Sequence, residues 1–323
     1  MDFYKFESFD ITPLVEQHRG KCLDDLFQNS RIIKNDMGEF IEFFWVEKEI
    51  PYELDLFKTQ KKLLYDLKTI SYIGDYIEQK LKNRGIKSLI DLKFNLHFSG
   101  SANQILSLIK NKDYRNLIKN RYINDLDLSF CFKIEDFLFL DIETLGIIDS
   151  PIIIVGIGFF TNEKFEIRIF FARELEEEIA ICEHLKTKIF PYYECFITYN
   201  GKTFDIPFLA NRFLYFFDEN PMISSDDPIY EKCITTFHHI DLYHHCRRLF
   251  KGKFFDYTLK SIEENVLNWK RDNELPSNLV GLCYRMYKEN PERYIGLIKE
   301  VIEHNYYDIY SMPLILQKLL KNV

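Results

Sequence analysis

From about residue 134 the chain is a succession of apolar strands whose lengths and gaps leave few folds open. Phe137–Asp141 (FLFLD), Pro151–Phe160 (PIIIVGIGFF) and Lys164–Phe171 (KFEIRIFF) follow one another across short gaps, which predicts three antiparallel strands. Glu174–Lys188 reads as a helix with Glu-rich exposed positions. Cys195–Tyr199 (CFITY) is reached through that helix and is expected to lie parallel to the first strand. Phe204–Phe217 reads as helix after its first turn, His239–Leu242 as a short fifth strand, and the remainder from Tyr243 as helix. The expected fold class is α/β: a mixed five-stranded sheet, three strands antiparallel and two parallel, flanked by helices.

The first 133 residues differ in character. Glu39–Glu47 (EFIEFFWVE) is rich in aromatic residues and has strand character, whereas residues 60–84 read as two helical stretches broken at Gly74. In Ser71–Leu92 the turn Ile73-Gly74-Asp75 leads into an amphipathic helix, Gly85 is placed to end it, and Ser88 starts another short helix. The expected organisation is a smaller, mainly helical N-terminal region over residues 1–133 and an α/β domain over 134–323. A length of 323 residues suits roughly two domains of ordinary size.

The formal net charge of −8 does not suggest a nucleic-acid binder, but the charge is unevenly spread. Between Lys80 and Arg121 ten Lys or Arg stand against Asp91 and Asp113, a net of +8 that leaves −16 on the rest. A solvated helical surface and a phosphate-binding surface both account for such a segment. Seven cysteines (22, 131, 182, 195, 233, 246 and 283) form no CxxC pair and read as buried thiols in a reducing compartment. The start, MDFYKFESFD, is acidic and lacks an apolar signal core, and no uninterrupted apolar run approaches ~20 residues. A cytoplasmic protein with no membrane segment is expected.

Three acidic elements carry the chemistry. In LDIETLG, Asp141 and Glu143 are two apart at the end of an apolar strand, so they project to one face. Like charges held that close are costly unless a cation neutralises them. In YNGKTFDIPFL, Asn200 and Gly201 suit a turn leaving the sheet, and Asp205 begins a helix among Phe204, Pro207 and Phe208. In HNYYDIYSM, His304 and Asp308 are four apart, hence on one helix face. Taken singly, a surface turn, a helix cap and a surface His-Asp pair would explain these elements.

Taken together, DIET, NGKTFD and HNYYD resemble, in order and spacing, the three exonuclease motifs of the DEDD (DnaQ-like) superfamily. Residues 134–318 are more closely similar to the bacterial YprB-type ribonuclease H-like domain family. DLYHHCRRLF (Asp241–Phe250), YTLKSIEENVLNW (Tyr257–Trp269) and LPSNLVGLCYRMY (Leu275–Tyr287) share in that resemblance. It implies a ribonuclease H-like fold and a 3′→5′ exonuclease using two divalent ions, Mg²⁺ or Mn²⁺. Asp141, Glu143, Asp205 and Asp308 would be the metal ligands, with Asp141 bridging both ions and Glu143 and Asp308 holding the one that activates water. The family's base or water-orienting group is usually His five residues before the last Asp or Tyr four before it. Here those positions are Glu303 and His304, so His304 is assigned as orienter or base. Thr144, Leu145, Asn200, Lys202 and Phe204 of the motifs, with Arg247 and Arg248 of the basic run that follows Asp241, are the expected substrate contacts.

Ser71–Leu92, continued to Ile109, also resembles a helix-hairpin-helix module, which presents backbone N–H groups to phosphates. That tilts the expected partner towards DNA over RNA; nothing in the sequence names a protein partner. His238, His239, His244 and His245 come as adjacent pairs on a strand and a helix. Such pairs do not converge easily on one ion, so no zinc site is expected there.

Overall fold

A computed structural model describes residues 5–6, 9–51, 53–222, 237–271 and 275–322. Seven strands form the main sheet: β1 (Ser30–Asn35), β2 (Gly38–Glu47), β3 (Phe137–Thr144), β4 (Ile152–Thr161), β5 (Lys164–Phe171), β6 (Cys195–Thr198) and β7 (His238–Asp241). Their order across the sheet is β1-β2-β5-β4-β3-β6-β7. The five-strand expectation is met by β3 to β7, with β3–β5 antiparallel and β6 and β7 parallel to β3 and to each other. The sheet is larger than expected because the β1–β2 hairpin extends it. Ile41–Glu47 of β2 pairs antiparallel with Phe165–Phe171 of β5, covering what would otherwise be an open edge. The strand at 39–47, grouped from sequence with the N-terminal region, is therefore part of the α/β sheet.

Alternation along β3 sends its side chains to two cores. Phe137 and Phe139 point to one face, and Leu138, Leu140 and Ile142 to the other. The second face is covered by α5 (Glu178–His184) and α6 (Asp205–Phe217). The first is covered by α1 (Thr12–His18), α7 (Leu242–Leu249), α8 (Val280–Glu289) and above all α9 (Pro291–Lys321), a 31-residue helix that crosses β3, β4 and β5. Asp141 and Glu143 continue the Phe137–Phe139 row and so face α9.

Two glycines set how close α9 comes to the sheet. A Cβ at Gly156 of β4 would lie 2.0 Å from Oδ1 of Asn305, and one at Gly158 would lie 2.6 Å from Cγ2 of Ile309 and 2.4 Å from the Phe165 ring. Gly156 is the register partner of Asp141. The bare backbone thus admits an α9 side chain to the strand directly beside the first motif acid.

Between β2 and β3 lies a helical segment with a core of its own, built from Leu63, Leu67, Ile70, Leu81, Leu89, Ala102 and Phe130 among others. It contains α2 (Phe57–Tyr65), α3 (Asp75–Asn83), a short turn of helix at Leu89–Leu92, and α4 (Ser99–Lys110). Gly74 caps α3, Gly85 follows it at φ +87°, and Ser88 and Asp91 make a reciprocal capping box. The segment is fastened to the α/β layers through Asp125. Its carboxylate accepts from Lys202 and His245, and its carbonyl is 2.8 Å from Nε2 of His238. Among the described residues no helix is long and apolar enough to cross a membrane.

Of the cysteines, Cys182, Cys195, Cys246 and Cys283 are buried free thiols as expected. Cys131 is half-buried and Cys22 is exposed, which corrects the uniform reading. Cys22 lies at the start of a one-turn helix and its thiol is 3.1 Å from the Asp25 carboxylate. Cys233 is outside the described residues. If Gly158 is what lets α9 seat on β4, Gly158→Ala should lower unfolding free energy by about 1–3 kcal/mol in a urea titration. An unchanged midpoint would mean the helix is not packed against that strand.

Candidate metal centre

The three motif elements meet at the carboxyl end of β3. Asp141 and Glu143 are on the strand itself. Asp205 is the first residue of α6 on the neighbouring crossover, and His304, Asn305 and Asp308 come down from α9. Donor atoms of Glu143, His304 and Asp308 all lie within 4.8 Å of one another, the one such group among the described residues. His304 Nε2 is 3.7 Å from Glu143 Oε1 and 3.5 Å from Asp308 Oδ2. Asp205 is joined to the first motif through the backbone, its Oδ1 accepting from the Ile142 N–H at 3.0 Å. Asp141 Oδ2 accepts from Asn305 Nδ2 at 2.7 Å.

The electrostatics follow from burial without sufficient counter-charge. Burial raises the Asp141 carboxyl well above its ordinary value, and the charges of Asp205, Asp308 and Glu143 add to that, against a pull from Arg271. Glu143 is raised in the same way, by burial first and then by Asp308 and Asp205. Burial lifts Asp205 to about 7 in spite of its bond from Ile142 N–H, with Asp241 and Asp308 adding repulsion. Glu143 and Asp308 meet directly, Asp141 and Asp205 stand near enough to add repulsion, and the permanent cation beside the group among the described residues is Arg271, 2.6 Å from Asp308. Hard oxygen donors in excess of the local positive charge suit a divalent cation of the Mg²⁺ or Mn²⁺ type, so the residues present fit such a group.

The turn between β6 and α6 is held by Asp241. This fully buried carboxylate accepts from the N–H groups of Asn200 at 2.8 Å, Lys202 at 3.0 Å and Tyr243 at 3.1 Å. It caps α7 and shapes the Asn200 turn at once. Asn200 itself is left-handed at φ +67°, a conformation asparagine tolerates. Asp241 therefore sets the position of Asp205 from behind.

Of the expected substrate contacts, Asn200 is exposed, while Thr144 and Leu145 are half-buried beside the acids. Thr144 Oγ1 donates to the Gly146 carbonyl at 2.6 Å, and the Leu145 carbonyl accepts from Arg285 at 3.1 Å. Phe204 packs on Phe208 with ring centroids 5.3 Å apart. Lys202 is not a free cation: its amine is ion-paired with Asp125. Arg247 and Arg248 are exposed on α7 and make no hydrogen bond or ion pair to the acids among the described contacts. The histidines at 238, 239 and 245 are spent on structure. His238 and His245 bind Asp125, and His239 lies 2.9 Å from the Thr198 hydroxyl, its pKa pushed down to about 3 by burial. Tyr306 donates to Glu47 at 2.7 Å, and Tyr307 lies against Trp269.

Four residues of the site were not read from the sequence. Asn305 bonds Asp141, Ser277 Oγ lies 3.2 Å from His304 Nε2, and Arg271 bridges Asp308 and Glu263. Asn305 had a signal: VGIG within a buried strand marks close approach of another element, and the only α9 motif available to approach was HNYYD. Glu263 and Ser277 lie within the segments that share in the family resemblance but carry no local sign of a role, and Arg271, between those segments, has no signal at all.

With this geometry in hand, comparison with known proteins places the domain. A family model described as the RNase_H superfamily, a superfamily of nucleases, matches residues 138–320. A protein of Bacillus subtilis (strain 168) named "Uncharacterized protein YprB" is 29% identical over 153 residues, covering 44% of this chain and 34% of that protein. The match thus spans about a third of that relative's length. The family match takes in β3 to β7, α5 to α9 and every motif acid, and on it the chain belongs to the RNase_H superfamily.

Proposed function

We propose that the chain is a metal-dependent 3′→5′ exonuclease of the DEDD type that hydrolyses phosphodiester bonds at nucleic-acid ends, single-stranded DNA before RNA. The observation that carries this reading is the half-buried Asp141 and the buried Glu143 and Asp205, their carboxyls raised, set beside Asp308 and His304. A fold does not keep four acids together at a sheet end for stability, because in the absence of a cation each opposes ionisation of the others. Asp141, Glu143, Asp205 and Asp308 would hold two Mg²⁺ or Mn²⁺ ions. Such ions, when bound, neutralise the phosphoryl oxygens and lower the pKa of a nucleophilic water.

The protein's own residues do the remaining work. Asn305 fixes the rotation of the Asp141 carboxylate, and Ile142 N–H does the same for Asp205. His304, with Ser277 beside its Nε2, faces Glu143 and Asp308 and is suited to orient the attacking water or take its proton. The helical segment supplies a surface for the nucleic-acid backbone. All ten Lys and Arg between Lys80 and Arg121 are exposed, and Gly74 opens α3 with its N–H groups unoccupied by a side-chain cap. The helix-hairpin-helix likeness of this segment supports DNA over RNA. Exposed Arg247 and Arg248 are further candidates for phosphate contact, whereas Lys202 acts by tying Asp125 to the motif turn.

With Mn²⁺, purified protein should shorten a 5′-labelled single-stranded oligonucleotide stepwise, and Asp141→Asn should abolish the ladder. Cuts inside a circular substrate would instead make it an endonuclease, and oligonucleotide binding with no ladder at any metal concentration would make it a scaffold. His304→Ala should lower turnover by about 10²- to 10⁴-fold with Mn²⁺ affinity unchanged. A matching loss of Mn²⁺ affinity would make His304 a ligand, as its place beside Glu143 and Asp308 also permits.

Metal and pH should be coupled. Asp205 is raised from 3.8 to about 7 in the metal-free fold, and Asp141 and Glu143 are raised as well. The folded chain therefore holds protons at these groups that the unfolded chain has released, so their contribution to stability falls as pH rises from about 4 to about 7. Divalent ions should restore it only where the carboxyls are ionised. Saturating Mn²⁺ is expected to raise Tm by roughly 5 °C at a pH near 7.5 and by far less near pH 5. Equal increments at both pH values in a thermal-shift assay would contradict ion binding by these acids.

A further inference from the structure

We infer that Arg271 is a positioning residue for Asp308: it holds one carboxylate oxygen so that the other is presented, in a fixed direction, to the ion-binding group. The inference rests on the reading above of Asp308 as an ion ligand and adds to it a residue that no motif contains.

Arg271 is only 8% exposed, an unusual situation for a guanidinium. Its Nη2 lies 2.6 Å from Asp308 Oδ1 and is also paired with Oε1 of Glu263, a side chain that is 1% exposed. Its Nη1 donates to the His304 carbonyl at 3.4 Å. The rings of Trp269 and Tyr307 each lie 5.6 Å from the guanidinium carbon, enclosing the group from its faces. A buried Arg-Glu pair costs desolvation on both sides, so it is weak evidence of stabilisation for its own sake. Here the pair has a third member, and that member is a motif acid.

The two oxygens of Asp308 are divided between different neighbours. Oδ1 faces Arg271, whereas Oδ2 is 3.5 Å from His304 Nε2, on the side where donor atoms of Glu143, His304 and Asp308 gather within 4.8 Å. In this reading the guanidinium holds Oδ1 and leaves Oδ2, the oxygen nearer His304, for an ion shared with Glu143. It removes the freedom of the carboxylate to turn, and its contact with the His304 carbonyl ties the same cation to the α9 turn that carries both His304 and Asp308. Partners of this kind behind a ligand typically set metal affinity or activity by 10- to 100-fold. Glu263 serves in turn to hold Arg271. Burial pushes the Glu263 carboxyl up to about 7 even against the attraction of Arg271, a measure of how enclosed the pair is.

The test is a calorimetric Mn²⁺ titration of the full chain, wild type against Arg271→Gln, Arg271→Lys and the double variant Glu263→Gln with Arg271→Gln. Loss of Arg271 alone leaves Glu263 buried and unpaired, and that variant can fail to fold. The double variant removes both charges of the pair and keeps the question answerable. Arg271→Gln and the double variant should raise the Mn²⁺ Kd by about 10- to 100-fold with the melting profile retained by the double variant. Arg271→Lys, which keeps the charge but not the planar fork, should recover only part of the affinity. Oligonucleotide KM should stay within about twofold of wild type, and turnover should return towards wild type as Mn²⁺ is raised. An unchanged Kd in a folded double variant would overturn the inference by making the pair purely structural. A lower Kd would also overturn it, by making Arg271 a competitor of the ion. Wild-type protein that binds no Mn²⁺ would refute the ion-ligand reading of the acids, a different result from wild-type binding that the variants leave untouched.

Discussion

The approach of α9 to β4 is the contact on which the rest of the site depends. A long helix packed on a sheet is ordinarily held off by the side chains of both, at about 10 Å between axis and sheet. Gly156 and Gly158 remove that spacing locally, and Asn305 and Ile309 occupy the room a Cβ would have taken. Because Gly156 is paired with Asp141, the closeness appears where the first motif acid is. The helix periodicity then does the remainder: 304 and 308 lie on one face of α9, flanking Asn305, and are delivered over Glu143. The chemistry of the site is thus a consequence of two missing side chains on a strand that contributes no functional group itself.

That same closeness creates the electrostatic problem the site embodies. Asp141 and Glu143 share a strand face, and bringing Asp308 and the end of α6 to them leaves three carboxyls raised by burial and mutual repulsion. The fold answers with direct bonds to individual oxygens: Asn305 to Asp141, Ile142 N–H to Asp205, and Arg271 to Asp308. Each fixes a direction without supplying enough positive charge to cancel the group. A site ordered in geometry but not neutral is the arrangement expected where an external cation completes the balance.

The sequence was most informative where one residue pattern admitted one local structure. FLFLDIE can only be a buried strand with two acids on a single face, and Lys164–Phe171 alternates so cleanly that its observed bounds are the expected ones. The turn at Asn200-Gly201 and the helix beginning at Asp205 were legible for the same reason. The edge of the sheet was not. Glu39–Glu47 has strand composition, but its partner, β5, lies more than a hundred residues away, and composition carries no register. Arg271 was hidden by a similar limit, since its burial results from Trp269, Tyr307 and Glu263 closing around it. Lys202 reads as a substrate contact from its place in a motif, and the acid it pairs with, 77 residues earlier, is visible only in the fold.

That capture bears on how the two parts of the molecule act together. Asp125 closes the helical segment, and its carboxylate binds Lys202 of the second motif and His245 of α7, while its carbonyl meets His238 at the head of β7. Burial alone would raise this carboxyl, yet His245 and Lys202 hold it well below the usual range, so Asp125 stays ionised at the junction. The turn it grips is the one Asp241 orders from beneath, and that turn starts the helix headed by Asp205. The helical segment is therefore joined to the acid site through the contacts of Asp125 with Lys202, His245 and His238.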